Sequence, residues 1–172
     1  TNNKKIAQIA RKLSNHGRSD HYGHDYVGWN SRMDSLQASY LLLSLKFLSK
    51  KIKSRLKAIK FYKKRININE IDFLHSPKEY EENGYCSVLL LDNQENRIKL
   101  ESALQKNKIG FSNIYPIAMS DQFGAKNFIL DHVGGKNAQK ICNSVLNLPV
   151  FPYINEMELK RVCETVNSTF FK

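Results

Sequence analysis

Tyr22, His24, Tyr26, Asn30 and Arg32 fall within eleven residues of one polar stretch, YGHDYVGWNSRMDSLQA at 22–38, punctuated by Gly23 and Gly28. Together they offer phenol, imidazole, amide and guanidinium groups, a set suited to holding an anionic or hydroxyl-rich ligand by hydrogen bonds. Loops of this composition, carried by a rigid element, are where binding chemistry concentrates. Each residue also has a plain structural use. Asparagine commonly turns or caps a loop, Arg32 can bond backbone carbonyls as well as a phosphate, and His24 serves equally as a structural histidine. His16, His75 and His132 are scattered and suggest no metal cluster. Cys86, Cys142 and Cys163 contain no CxxC pair, which argues against a zinc site or disulfide framework and for the reduced thiols of a cytoplasmic protein.

The elements around this stretch can be read from periodicity. Ile6, Ile9, Ala10 and Leu13 recur at helical spacing, and Asn15-His16-Gly17 stops that helix. Asp34 is a suitable N-cap for a second helix over 34–64, which would be about 45 Å long at 1.5 Å per residue. Its apolar stripe runs Leu41, Leu45, Leu48, Ile52, Ile59, Tyr62, with Arg55 at the skipped position. A helix of this length passes between domains or packs in an oligomer. Strands are expected at 66–73, 85–91 and 111–115, the last ended by Pro116. Helices are expected at 93–108, at 137–145 and after the capping-box sequence Asn155-x-x-Glu158. The long polar segment 117–135 reads as a functional or flexible loop. The order suggests an α+β layer, with helices against a small sheet.

Charge narrows the partners. Of 27 lysines and arginines, ten lie between Lys46 and Arg65 with no acid among them. The remaining 17 basic residues face 16 acidic ones, so one helical segment carries nearly all of the +11. Basic side chains along a helix are ordinarily a solvated face. A nucleic-acid module is the weaker reading, because no recognition motif accompanies the charge. No apolar run approaches the roughly 20 residues of a membrane span. No signal peptide follows Thr1-Asn2-Asn3-Lys4-Lys5. The chain begins at threonine rather than methionine and reads as part of something longer.

The run Asn15-His16-Gly17, Tyr22-x-His24, Gly28-x-Asn30-x-Arg32-Met33-Asp34 and Gln37-Ala38 resembles the sugar aminotransferases of the DegT/DnrJ/EryC1/StrS family. These are pyridoxal-phosphate enzymes of the aspartate-aminotransferase fold type. Arg55, Lys108-Ile109-Gly110, Tyr115-Pro116 and Leu148-Pro149-x-Phe151-Pro152 continue the resemblance, in order, over essentially the whole chain.

The resemblance implies the C-terminal portion of such an enzyme. Residues 1–40 would be a remnant of the large cofactor-binding domain. Residues 41–172 would be the α/β (α+β) small domain, a small antiparallel or mixed sheet packed with helices and entered by one long helix. The Schiff-base lysine would lie upstream. Lys4 and Lys5 read as exposed helix residues, so no catalytic residue is expected here and the chain alone should not turn over. Asn30 would reach the cofactor phosphate of the neighbouring subunit in a homodimer with shared sites. Tyr22 and His24 would line the site between subunits, Arg32 would bind substrate phosphate, and Tyr115 would approach the sugar nucleotide. Ile114 stands where the family commonly has histidine. The implied reaction moves an amino group, typically from glutamate, to a nucleotide-linked keto sugar in cytoplasmic polysaccharide or glycoconjugate synthesis. A non-catalytic regulatory or binding relative of the same fold is the alternative.

Overall fold

The computed structural model describes residues 1–125, 127, 128, 130, 131 and 133–171. His132 therefore lies outside the described residues, as does part of the expected 117–135 loop. Two compact units are present, Thr1–Leu48 and Ser49–Lys172.

In the first unit, α1 (Lys4–Ser14) is capped by Asn3, whose Oδ1 accepts from the amides of Lys5 and Ile6 at 3.0 and 3.3 Å. Arg11 and Lys12 sit in its last turn, where cations complement the helix dipole. The helix ends on His16 and Gly17, both left-handed at φ 61° and 74°. A second helix, α2 (Ser35–Arg65), begins in this unit and ends in the other. As expected from its sequence, Asp34 caps it. Asp34 Oδ1 accepts from the Leu36 amide at 2.7 Å, and Gln37 Oε1 accepts from the Asp34 amide at 3.2 Å. Gly17 is the only buried residue among the first 48.

The second unit carries the core. Strands β1 (Ile71–Phe73), β2 (Ser87–Leu91) and β3 (Val145–Leu148) form one antiparallel sheet in that order. Ile71 pairs with Leu91, and Leu89 with Leu146. Along β2 the pleat sends Ser87, Leu89 and Leu91 inward. Helices α3 (Gln94–Lys106), α4 (Lys136–Ser144) and α5 (Glu156–Phe170) complete the layer. Leu100, Leu104, Leu89, Leu146 and Val166 are fully buried together with Tyr62 of α2. The Tyr62 hydroxyl donates to the Pro149 carbonyl at 2.8 Å, and burial pushes its phenol well above the ordinary range. The expected capping box is formed by Asn155 and Glu158.

Two strands are shorter than their sequences suggest. Ile66 and Ile68 enter the core as the chain leaves α2, the Ile66 amide bonding the Tyr62 carbonyl at 2.8 Å, so pairing begins only at Ile71. The expected strand 111–115 is a single bridge between Ser112 and Asn147, after which Ile114 and Tyr115 turn outward. The alternation there reflected one inward residue, Phe111, rather than a paired ladder.

Replacing Leu89 with alanine is expected to cost about 2–5 kcal/mol through the cavity it leaves, and Tyr62→Phe about 1 kcal/mol, both measured by denaturant unfolding. Burial raises the Cys163 thiol from its ordinary 9.0 to about 11. The folded state thus holds that proton longer than the unfolded chain does. The stability tied to this thiol is complete below pH 9 and is lost as pH climbs through 11. Unfolding midpoints across this range should fall in the parent and fall less in Cys163→Ala.

Candidate functional site

The loop from His16 to Arg32 is fastened to the end of α1 by backbone hydrogen bonds. The Trp29 amide donates to the Leu13 carbonyl at 2.8 Å, and the Ser31 amide to the Ser14 carbonyl at 2.9 Å. The His16 amide returns the bond to the Trp29 carbonyl at 2.8 Å, so Asn15 and Asn30 face each other as an antiparallel bridge. These contacts use carbonyls of the last helical turn, which have no partner within the helix. Two glycines permit the approach. A Cβ on Gly28 would stand 2.2 Å from the Gly17 nitrogen, and one on Gly17 would stand 1.8 Å from the Tyr26 carbonyl oxygen.

On this clasp, Asn30 and Arg32 are neighbours. Arg32 Nε donates to Asn30 Oδ1 at 3.2 Å. A guanidinium has only protons to give, so this contact fixes the amide orientation and leaves Asn30 Nδ2 as an outward donor. Both side chains are exposed. The result is an amide N–H beside a guanidinium, a donor pair suited to phosphate oxygens.

The 18–26 segment forms a second small structure. Asp20 Oδ1 accepts from the amides of Gly23 and Tyr22 at 2.5 and 2.8 Å, and these bonds hold its carboxyl below the ordinary range. Asp25 is held down by the Lys12 ammonium at 3.0 Å. His24 is bridged through its backbone to Arg18, and its Nδ1 lies 2.8 Å from the His16 carbonyl. Since that carbonyl can only accept, Nδ1 carries a proton, which in the neutral ring leaves Nε2 as an acceptor. Tyr22 is 90% exposed, its ring edge-on to His21. Tyr22, His24, Asn30 and Arg32 thus share one hydrogen-bonded loop of the first unit. Tyr115 belongs to the second unit, exposed beside Ile114.

Sequence reading missed the fastening itself. Asp20-x-x-Gly23 was a visible turn signal, whereas the Asn15–Asn30 bridge spans residues with no pairing pattern between them. Among the described residues no group of His, Cys, Asp and Glu could hold a metal ion. Among them, no helix is long and apolar enough to cross a membrane.

Gly28→Ala is expected to release the clasp. Amide exchange at Trp29 and Ser31 should rise at least tenfold while core amides of the second unit keep their protection, read by hydrogen-exchange NMR. Because the Asp20 carboxyl is depressed, its hold on the Tyr22 and Gly23 amides persists above its ordinary 3.8 and is lost as pH falls through the lowered value. Those two amides should therefore lose protection only in that acid range.

Comparison with known proteins places this geometry. The chain superposes on the S. venezuelae DesV crystal structure, in complex with a ketimine intermediate, with a TM-score of 0.90 at 22% identity, covering 100% of this chain and 46% of that one. The shared fold is therefore that of one part of this neighbour. Curated relatives include a UDP-2-acetamido-2-deoxy-3-oxo-D-glucuronate aminotransferase of Pseudomonas aeruginosa, 25% identical over 98% of this chain and 45% of the relative. They also include a pleiotropic regulatory protein of Geobacillus stearothermophilus, 26% identical over 96% of this chain and 45% of the relative. The chain spans less than half the length of these curated relatives. The sequence model of the DegT/DnrJ/EryC1/StrS aminotransferase family matches residues 1–167. The chain belongs to the DegT/DnrJ/EryC1/StrS aminotransferase family.

Proposed function

We propose that these residues form the C-terminal portion of a pyridoxal-phosphate-dependent nucleotide-sugar aminotransferase working as a cytoplasmic homodimer. The observation that carries the reading is the Asn30–Arg32 donor pair on a loop fastened to α1. Asn30 Nδ2 donates to a phosphate oxygen of a cofactor held by the other subunit. Arg32 keeps the amide turned outward and offers its remaining N–H groups to substrate phosphate. His24, with Nδ1 committed to the His16 carbonyl, accepts a sugar hydroxyl proton at Nε2. Tyr22 and Tyr115 add exposed phenols for the sugar nucleotide. When bound, the cofactor supplies an electron-withdrawing ring that lets a proton leave the carbon bearing the transferred nitrogen. The amino donor is an amino acid, glutamate first among them, and the acceptor is a nucleotide-linked keto sugar.

Residues 1–40 belong on this reading to the large cofactor-binding domain, and 41–172 to the small domain with the linking helix. The exposed apolar residues Leu36, Tyr40, Leu41, Leu42 and Leu45 support it, since a face of this kind marks an interaction surface. Lys4 and Lys5 are exposed on α1 directly after its cap and do not serve as the Schiff-base lysine.

A second reading is a regulatory protein of the same fold. Ile114 in the place of histidine favours it, as does the Geobacillus relative's name. The two separate on one experiment. The polypeptide encoded by the full reading frame is purified with pyridoxal phosphate, scanned for a violet absorbance band, reduced with borohydride and digested for mass spectrometry. A reducible band on an upstream lysine, with amino transfer from glutamate to a nucleotide keto sugar, is expected. The 172-residue chain alone should give neither. Asn30→Ala should weaken cofactor retention about 10- to 100-fold, the loss of a hydrogen bond to a charged group. A full-length protein without the band supports the regulatory reading instead.

A further inference from the structure

Between α2 and residues 74–86 of the second unit lies a cavity of about 710 Å³, within the ~300–1,000 Å³ typical of small-molecule sites. Ile59 and Lys63 of α2, Phe73 of β1 and Ser87 of β2 line it together with that loop. The loop is braced to keep its shape. Gly84 takes φ +66° where a Cβ would stand 2.8 Å from the Arg55 Cβ, so it lies directly against α2. Arg55 Nη2 donates to the Asn83 carbonyl at 3.2 Å, and Asn83 Oδ1 accepts from the Tyr85 amide at 3.0 Å. Glu82 Oε1 accepts from the Ser76 amide at 3.3 Å.

Three features define what would fit. The first is unmet hydrogen bonding. Ser87 is 1% exposed, and its Oγ has no partner among the described residues, a costly state that a ligand group would relieve. Across the cavity, Lys63 Nζ lies 3.2 Å from His75 Nδ1. Lysine can only donate, so Nδ1 accepts and His75 Nε2–H remains as a second donor. The second feature is shape: Tyr80 and Tyr85 are exposed among the lining residues and Phe73 is half-buried, giving flat apolar faces for a planar ring. The third is charge. Lys63 Nζ is ion-paired with Glu82 Oε1 at 3.8 Å and Glu81 adds a second acid to the lining, and a lining with more acid than base repels polyphosphate. The volume also exceeds what a free amino acid fills.

We propose that this cavity binds a neutral, planar, hydrogen-bonding heterocycle of nucleoside size, held by Ser87 and the Lys63–His75 pair with its ring against Tyr80 and Tyr85. The site lies wholly within the second unit and owes nothing to the aminotransferase reading. A free nucleoside and the nucleoside end of a larger nucleotide share this chemistry.

The test is a heteronuclear NMR titration of the 172-residue chain with uridine, adenosine and UDP, repeated at a low and a high salt concentration. Saturable shifts at Ser87 and within 74–86 are expected with at least one nucleoside. UDP bound as tightly as uridine admits the nucleotide source, and UDP bound more weakly assigns the site to free nucleosides. Ser87→Ala should weaken binding about three- to tenfold without lowering the melting temperature, because its hydroxyl has no partner to lose. Tyr80→Ala, which leaves the core intact, should weaken it comparably. Absence of shifts with both nucleosides overturns the proposal, as does parental affinity in both variants. Tighter, salt-dependent binding of UDP also overturns it, by transferring recognition to the phosphates. Amino transfer enters none of these readings, so failure here and failure of the proposed function remain distinguishable.

Discussion

The constraint on which the first unit depends is the exchange of backbone hydrogen bonds between the last turn of α1 and residues 28–31. Only Gly17 is buried there, so the apolar burial that stabilises most small domains is missing. Donated amides occupy carbonyls that a helix terminus would otherwise leave to water. Gly17 and Gly28 let the two backbones approach more closely than any side chain would allow. Position is thus set by main chain, which leaves the Asn30, Arg32 and His24 side chains at the surface.

The second unit follows the opposite plan. Its three-stranded sheet is covered by helices, and its core is a continuous apolar cluster with few polar members. The Tyr62 hydroxyl has a defined partner in the Pro149 carbonyl, but several other buried polar atoms have none among the described residues, Asn147 Oδ1 and Asn167 Oδ1 as well as Ser87 Oγ. Of these, Ser87 lines the cavity. The short edge strand β1 carries an exposed aspartate, Asp72, at its centre, a charge that discourages further strand pairing.

Much of this was legible beforehand. The helices announced themselves through 3.6-residue periodicity and explicit caps: Asp34, and Asn155 with Glu158, act as their positions suggest. Strand β2 was legible because YCSVLLL is β-rich and apolar. Residues 66–70 and 111–115 were not, since inward-facing Ile66, Ile68 and Phe111 look the same in a strand and in an irregular segment packed on a core. At the candidate site, residue types spoke for binding. The clasp that presents them was invisible because it is written in backbone amides and carbonyls, which every sequence possesses. The cavity beneath 74–86 was equally silent, its lining drawn from a helix, two strands and a loop.

Along α2, chemistry is sorted lengthwise rather than around the circumference. The N-terminal half is crowded with exposed leucines, and the C-terminal half carries the lysine-rich run. A rod of this kind has the organisation of a surfactant, one end seeking apolar contact and the other water and counter-ions. Anything that covered those leucines would take apolar surface out of water and would stabilise the first unit by an amount that grows with its own concentration.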